Sequence, residues 1–229
     1  MKKYAIIVAG GSGTRFGSTL PKQFIPLGGV PVLMRTIKAF ADYDRDINIV
    51  VALPSEHLTL WGDLCASRNF DVPHKVVEGG ANRFESVRNA LFAINETECL
   101  VAVHDGARPL VTVRVMEEAI AAAAQYGAAA PAIPVHDTIK VAQNGIVTQT
   151  PDRSTLFAVQ TPQVFRTEAI RTALRAALEK NLPLTDDCSA MEAAGYPVHL
   201  TAGEEENLKI TVPSDLILAE AILKRRENP

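Results

Sequence analysis

Short apolar runs alternate with longer amphipathic stretches along this chain. The runs at 4–9, 47–52, 74–77, 100–104, 128–133 and 198–201 predict strands, and the stretches at 32–40, 56–68, 83–94, 114–126, 167–180, 188–194 and 214–226 predict helices. Punctuation supports the boundaries. Pro54-Ser55 opens one helix, Gly127 closes the alanine-rich one, and Ser214, just after Pro213, is placed to cap the last. Strand–helix alternation of this kind predicts an α/β protein: one open, mostly parallel twisted sheet with helices on both faces, as one domain over residues 1–229.

One segment breaks the alternation. Residues 138–143 and 146–150 flank Asn144-Gly145, the strongest two-residue hairpin signal, because both positions tolerate φ > 0. The ribbon is half polar and has no helix to cover it. An isolated two-stranded ribbon is only marginally stable in water. It is either a plain surface ribbon or a protruding β-hairpin arm, residues 136–155, that pairs with a second subunit to make a homodimer.

In open parallel sheets ligands bind beyond the carboxyl ends of the strands, and the polar clusters of this chain fall there. The first strand runs into Gly10-Gly11-Ser12-Gly13-Thr14-Arg15-Phe16, and Pro21-Lys22-Gln23-Phe24 follows. Glycines let backbone N–H groups approach a ligand closely, and successive N–H groups make an anion-binding concavity. Arg15 and Lys22 add positive charge, so the stretch suits a polyphosphate. It is not a dinucleotide fingerprint, because Phe16 stands where that motif has its third glycine and no acidic residue ends a second strand where a ribose would be held. The Walker Gly-Lys-Ser/Thr is also absent. Other strands end in Glu78-Gly79-Gly80-Ala81-Asn82-Arg83, in Asp105-Gly106-Ala107-Arg108-Pro109, and near Asp137-Thr138. Asp105 at a strand end beside a phosphate loop suits Mg²⁺, which takes oxygen ligands and often binds through one or two carboxylates plus substrate phosphates; a salt bridge to Arg108 is the plainer role. Asp187 could cap the helix that follows it, and Lys209, in a strand-like stretch, could simply face solvent. No Ser or Cys has a nucleophile motif around it. Phosphoryl and nucleotidyl transfer need none, since they rely on positioning and charge neutralisation.

Bulk properties narrow the class. The chain has 229 residues, 47% hydrophobic and 21% charged, enough for a sizeable core. A net charge of −3 argues against a nucleic-acid partner. Lys224-Arg225-Arg226 ends a helix and complements its dipole. Cys65, Cys99 and Cys188 show neither disulfide nor metal spacing, and His57, His74, His104, His136 and His199 form no pair at helical ligand spacing. No apolar run approaches the ~20 residues of a membrane helix, and the run after Met1-Lys2-Lys3 is too short for a signal peptide. A cytoplasmic protein without a membrane partner is expected.

Taken together the motifs carry a resemblance. Gly-Gly-x-Gly-x-Arg-Phe at 10–16 with Pro-Lys-Gln-Phe at 21–24 resembles the N-terminal signature of nucleotidyltransferases acting on sugar and polyol phosphates. Val103-His104-Asp105-Gly106-Ala107-Arg108-Pro109 is similar to the signature of their cytidylyltransferase branch. Asp137-Thr138-Ile139-Lys140, Gln160-Thr161-Pro162-Gln163, Thr185-Asp186-Asp187 and Asn207-Leu208-Lys209-Ile210-Thr211 follow in the same order. Over nearly its whole length the chain resembles the 2-C-methyl-D-erythritol 4-phosphate cytidylyltransferases of non-mevalonate isoprenoid synthesis.

The resemblance implies a Rossmann-like nucleotidyltransferase fold and transfer of CMP from CTP to methylerythritol phosphate, with Mg²⁺ and loss of pyrophosphate. It implies that Ala9, Gly10, Gly11 and Gly13 cradle the triphosphate and that Arg15 and Lys22 are catalytic, steadying charge on the α-phosphate. Gly80, Ala81 and Ser86 would face the cytosine. Asp105 would lie by ribose, metal and substrate, with Mg²⁺ held there or mainly by the CTP phosphates. Ala107 and Arg108 would line the same cleft. Thr161, Thr185 and Lys209 would hold the polyol phosphate, and Thr138 and Arg153 would complete the pocket of the other subunit. Gly106 replaces a usual alanine, and Ala81 stands where an acidic residue often occurs. A ribitol 5-phosphate enzyme is the nearest alternative, disfavoured by Gly106-Ala107 before Arg108-Pro109. An NAD-linked oxidoreductase and a non-catalytic nucleotide-binding regulator are more distant ones.

Overall fold

The computed structural model describes residues 1–11 and 20–227. The chain opens with β1 (Lys2–Val8), then a small ribbon of β2 (Pro26–Leu27) and β3 (Val30–Pro31) leads into α1 (Val32–Tyr43). Next come β4 (Asn48–Leu53), α2 (Leu58–Ser67), β5 (Lys75–Glu78), α3 (Arg83–Phe92), β6 (Cys99–Asp105), α4 (Val113–Tyr126) and β7 (Ala128–Pro134). The hairpin strands β8 (Val141–Gln143) and β9 (Ile146–Gln149) follow, then β10 (Phe157–Val159), β11 (Gln163–Arg166), α5 (Thr167–Glu179), α6 (Asp187–Ala193), β12 (His199–Ala202) and α7 (Pro213–Glu227).

β1 lies in the middle of an eight-stranded sheet, parallel to β4 on one side and β6 on the other, with β5 parallel beyond β4. Its period of two divides the core. Ala5, Ile7 and Ala9 pack on one face with residues of α1, α2 and α4, while Ile6 and Val8 pack on the other with α3, α5 and α6. Burying a side chain such as Ile7, 0% exposed, contributes roughly 1.5–3 kcal/mol. Both faces are therefore dry, which is why β1 reads as an unbroken apolar run rather than an alternating one. A third, smaller cluster seats α7 through Ala219 and Ile222 against Leu27, Val32, Leu110 and Ile210.

The open, mostly parallel α/β sheet expected from the sequence is present, with an insertion that the pattern does not announce. β11 runs antiparallel between β6 and β7, and β10 runs antiparallel to β7, whereas β12 is parallel to it. Residues 157–166 carry Pro162 in their midst and lack a periodic signature, so no strand is expected there. The other corrections are local. Pro213 takes the first helical position of α7, leaving Ser214 inside it, and the Asp215 carboxylate accepts the N–H groups of Thr211 and Val212. Residues 207–211 form no strand.

The hairpin is found where expected. Asn144 and Gly145 have φ of +51° and +78°, and β8 and β9 pair only with each other. Ile139, Val141, Ile146 and Val147 on this ribbon are exposed. No helix among the described residues is long and apolar enough to cross a membrane.

Candidate active site

Three strand ends converge on one cavity of about 260 Å³. β1 supplies the first wall. The Ala9 N–H still bonds to the Ala52 carbonyl at 3.0 Å, after which Gly10 and Gly11 turn into the cavity. Gln23, 1% exposed, donates from Nε2 to the Ala9 carbonyl at 2.9 Å and so ties the 21–24 segment to the strand end. Its neighbour Lys22 lines the cavity and donates from Nζ to the Ile210 carbonyl at 3.1 Å. A β-carbon on Gly11 would stand 3.3 Å from Lys22 Cε, so glycine there leaves the lysine its place. Gly13 and Arg15 lie outside the described residues.

The second wall is the turn from β5 into α3. Gly79 N–H bonds to the Leu53 carbonyl at 2.7 Å, Gly80 N–H to Ser86 Oγ at 3.0 Å, and Ala81 N–H to Glu85 Oε2 at 3.0 Å. Asn82 caps α3, its side chain accepting the Glu85 N–H. The turn is tight: a β-carbon at Gly80 would fall 2.2 Å from Glu85 Cβ. Gly80, Ala81 and Ser86 all line the cavity, and the Ala81 N–H is already bonded to a carboxylate.

The third wall is Asp105, the last residue of β6. Its main-chain N–H donates to Thr161 Oγ1 at 3.1 Å. The Thr161 hydroxyl is thereby left to donate to His104 Nδ1 at 3.0 Å, and His104 Nε2–H donates to the Arg108 carbonyl at 3.0 Å. Burial holds His104 in its neutral form, with its pKa down at about 4. The Asp105 carboxylate meets Lys209 Nζ at 2.9 Å, Arg83 Nε at 3.3 Å and Arg108 Nε at 3.6 Å. Burial alone would raise its pKa, but Arg83, Lys209 and Arg108 hold it well below the usual carboxylate range. Lys209 arrives from a loop stitched onto this wall: Ile210 N–H bonds to the Ala107 carbonyl at 2.9 Å, and Asn207 donates to the Thr161 carbonyl at 2.9 Å.

Of the residues singled out by sequence, the cavity brings together Ala9, Gly10, Gly11, Lys22, Gly80, Ala81, Ser86, Asp105, Ala107 and Lys209. Arg108 stands behind Asp105, with its Nη1 on the Asn207 carbonyl at 2.6 Å. Thr161, 4% exposed, lies beneath the Asp105 backbone with its hydroxyl in use. Thr185 is exposed near the start of α6 and Thr138 is exposed on the arm. Arg153 braces the root of the arm, donating to the His136 carbonyl at 2.6 Å. None of these last five lines the cavity, Arg108 included, because its guanidinium is turned to the Asn207 carbonyl behind Asp105. Asp186 rather than Asp187 caps α6, and Asp187 is the first helical residue, with its carboxyl fully buried 2.7 Å from Arg83 Nη2. Arg83 is the residue that sequence reasoning left without a role. The signal was its place directly after the glycine turn, in a cluster already at a strand end.

No group of three or more His, Cys, Asp or Glu that could hold a metal occurs among the described residues. A lone carboxylate such as Asp105 suits a Mg²⁺ carried largely by phosphates and water rather than a protein cage.

A doubly wound sheet with a glycine-walled cationic cavity at its carboxyl edge defines a phosphate-handling α/β enzyme, and comparison with known proteins narrows it to the nucleotidyltransferases. The profile of the family 2-C-methyl-D-erythritol 4-phosphate cytidylyltransferase (IspD) matches residues 4–225. A protein of that name from Bacteroides thetaiotaomicron is 45% identical over 223 residues, covering 97% of this chain and 100% of its own. Another from Geobacillus kaustophilus is 42% identical over 226 residues, covering 99% of each. The crystal structure of the Thermus thermophilus enzyme of that name superposes with a TM-score of 0.79 at 35% identity, over 96% of this chain and 98% of the other. A 4-diphosphocytidyl-2C-methyl-D-erythritol synthase from Anaerococcus prevotii gives 0.84 at 28% identity, over 97% and 98%. The chain belongs to the 2-C-methyl-D-erythritol 4-phosphate cytidylyltransferase family.

Proposed function

We propose that this chain transfers CMP from CTP to 2-C-methyl-D-erythritol 4-phosphate, giving 4-diphosphocytidyl-2-C-methyl-D-erythritol and pyrophosphate, in isoprenoid precursor synthesis. The observation that carries the reading is the meeting of Gly10, Gly11, Lys22, Gly80, Ser86, Asp105 and Lys209 around one cavity. An oxygen of the substrate's phosphate forms the new bond to the α-phosphorus of CTP, and the bond from that phosphorus to the α,β-bridging oxygen breaks, releasing pyrophosphate. The attacking phosphate is already an anion near neutral pH, so no general base is needed.

Gly10 and Gly11, with Gly13, cradle the triphosphate, and Lys22 and Arg15 offset the charge that grows at the α-phosphate. Gly80, Ala81 and Ser86 enclose the base, in a turn that has no room for a β-carbon at Gly80. Lys209 turns from Asp105 to the anionic substrate phosphate, and Arg108 keeps Asp105 in place. Asp105, together with the triphosphate, would hold a Mg²⁺, which would supply neutralisation of phosphate charge. Thr138 and Arg153 act across a homodimer built on the exposed arm. The enzyme works in the cytoplasm.

The test is a screen of CTP, UTP and ATP against methylerythritol phosphate and ribitol 5-phosphate, following pyrophosphate. Release with CTP and methylerythritol phosphate is expected. Preference for ribitol phosphate, or silence with every pair, overturns the assignment.

A further inference from the structure

The Asp105 carboxylate is surrounded by three cations that are held very differently. Lys209 approaches at 2.9 Å from a side chain 43% exposed, so it is free to swing towards an anion. Arg108 is tethered through Nη1 to the Asn207 carbonyl. Arg83 uses two edges of its guanidinium: Nε faces Asp105 at 3.3 Å and Nη2 faces Asp187 at 2.7 Å. The planar fork of arginine faces two carboxylates from separate, rigidly spaced edges, whereas lysine has a single nitrogen to share between them.

Asp187 is an unusual anchor. Its side chain is 0% exposed, and among the described residues neither oxygen has a hydrogen-bond partner besides this ion pair. It sits in the first turn of α6, where the helix dipole favours a negative group. Arg83 opens α3 immediately after the glycine turn. The pair therefore ties the starts of two helices to the carboxyl end of β6.

We infer that Arg83 and Asp187 are positioning residues for the reaction proposed above: Asp187 fixes the guanidinium, and the guanidinium fixes the Asp105 carboxylate so that Lys209 can leave it without Asp105 moving. The inference rests on that reaction. Without the Asp187 carboxylate, Arg83 draws Asp105 towards itself and off its station beside Lys209. A displacement of about 1 Å at such a site can cost on the order of 10²-fold in rate.

The experiment is a double-mutant cycle read by pyrophosphate release, with a thermal melt of every variant. Asp187→Asn keeps the shape and removes the anchor. It is expected to lower kcat about tenfold or more, to leave the KM for CTP within about twofold, and to cause no further loss in an Asp105→Asn background. Arg83→Lys serves as a second route should Asp187→Asn fold poorly, and the same loss and the same non-additivity are expected of it. Unchanged kcat in folded Asp187→Asn or Arg83→Lys overturns the inference. So does an equal fractional loss with and without the Asp105 carboxylate, since a merely structural ion pair would act that way. A wild-type chain inactive on CTP and polyol phosphate sinks the proposed reaction and this inference with it; an active wild type with an indifferent Asp187→Asn sinks the inference alone.

Discussion

Thr161 holds Asp105 by the main chain: its hydroxyl accepts the Asp105 N–H at 3.1 Å and donates to His104 Nδ1 at 3.0 Å. A motif residue that resemblance assigns to the substrate thus has its hydroxyl engaged inside the protein. Thr161→Val keeps the volume and strands a buried N–H, which costs about 1–3 kcal/mol. Urea denaturation should show that loss, with Thr161→Ser retaining most of the stability. Wild-type stability in Thr161→Val, together with a raised KM for the polyol phosphate, would move the hydroxyl back to the substrate.

The same relay predicts a pH dependence. Burial takes His104 from 6.5 down to about 4 in the folded chain. Between those values the unfolded chain binds the extra proton, so acid favours unfolding. The stability contribution is whole above 6.5 and is lost as pH falls through 6.5 towards 4, by about 1.4 kcal/mol per unit at most. His104→Gln should flatten the urea midpoint over this window relative to wild type.

Lys22 reaches the cavity beside Gly11 and donates to the Ile210 carbonyl. Lys22→Ala should lower kcat on the order of 10²–10³-fold by removing transition-state charge compensation. Circular dichroism should report an intact fold. Retained turnover would favour a binding role instead.

Gly80 has no room for a methyl group, because a β-carbon would lie 2.2 Å from Glu85 Cβ and 2.9 Å from the Glu85 main-chain carbon. Gly80→Ala should displace the turn and raise the KM for CTP about tenfold or more, while the KM for the polyol phosphate changes little. Equal changes in both constants would separate this turn from nucleotide recognition.

Arg153 braces the arm at the His136 carbonyl. If the arm completes a neighbouring subunit's site, Arg153→Ala raises the KM for the polyol phosphate far more than that for CTP. Sedimentation of the wild-type chain should give a dimer. A monomer with full activity removes the arm from the site.

Local pattern determined much of this protein. The apolar runs of β1, β4 and β6 mark strands buried on both faces, Asn144-Gly145 can hardly be anything but a hairpin turn, and the glycines at 10, 11, 79 and 80 stand at strand ends because the chain turns there. What local pattern could not decide is which distant residues face one another. β11 carries no local signal, because a four-residue strand directly after Pro162 has no periodicity of its own, and pairing with β6 and β7 makes it a strand. Lys209 has no regular element beneath it, and only the bonds of Ile210 to Ala107 and of Asn207 to Thr161 bring it to Asp105. Arg83 and Asp187 lie far apart in sequence, and nothing around either announces the other. Their meeting follows from burying α3 and α6 on the same face of the sheet, where a carboxylate removed from water is stable only beside a cation.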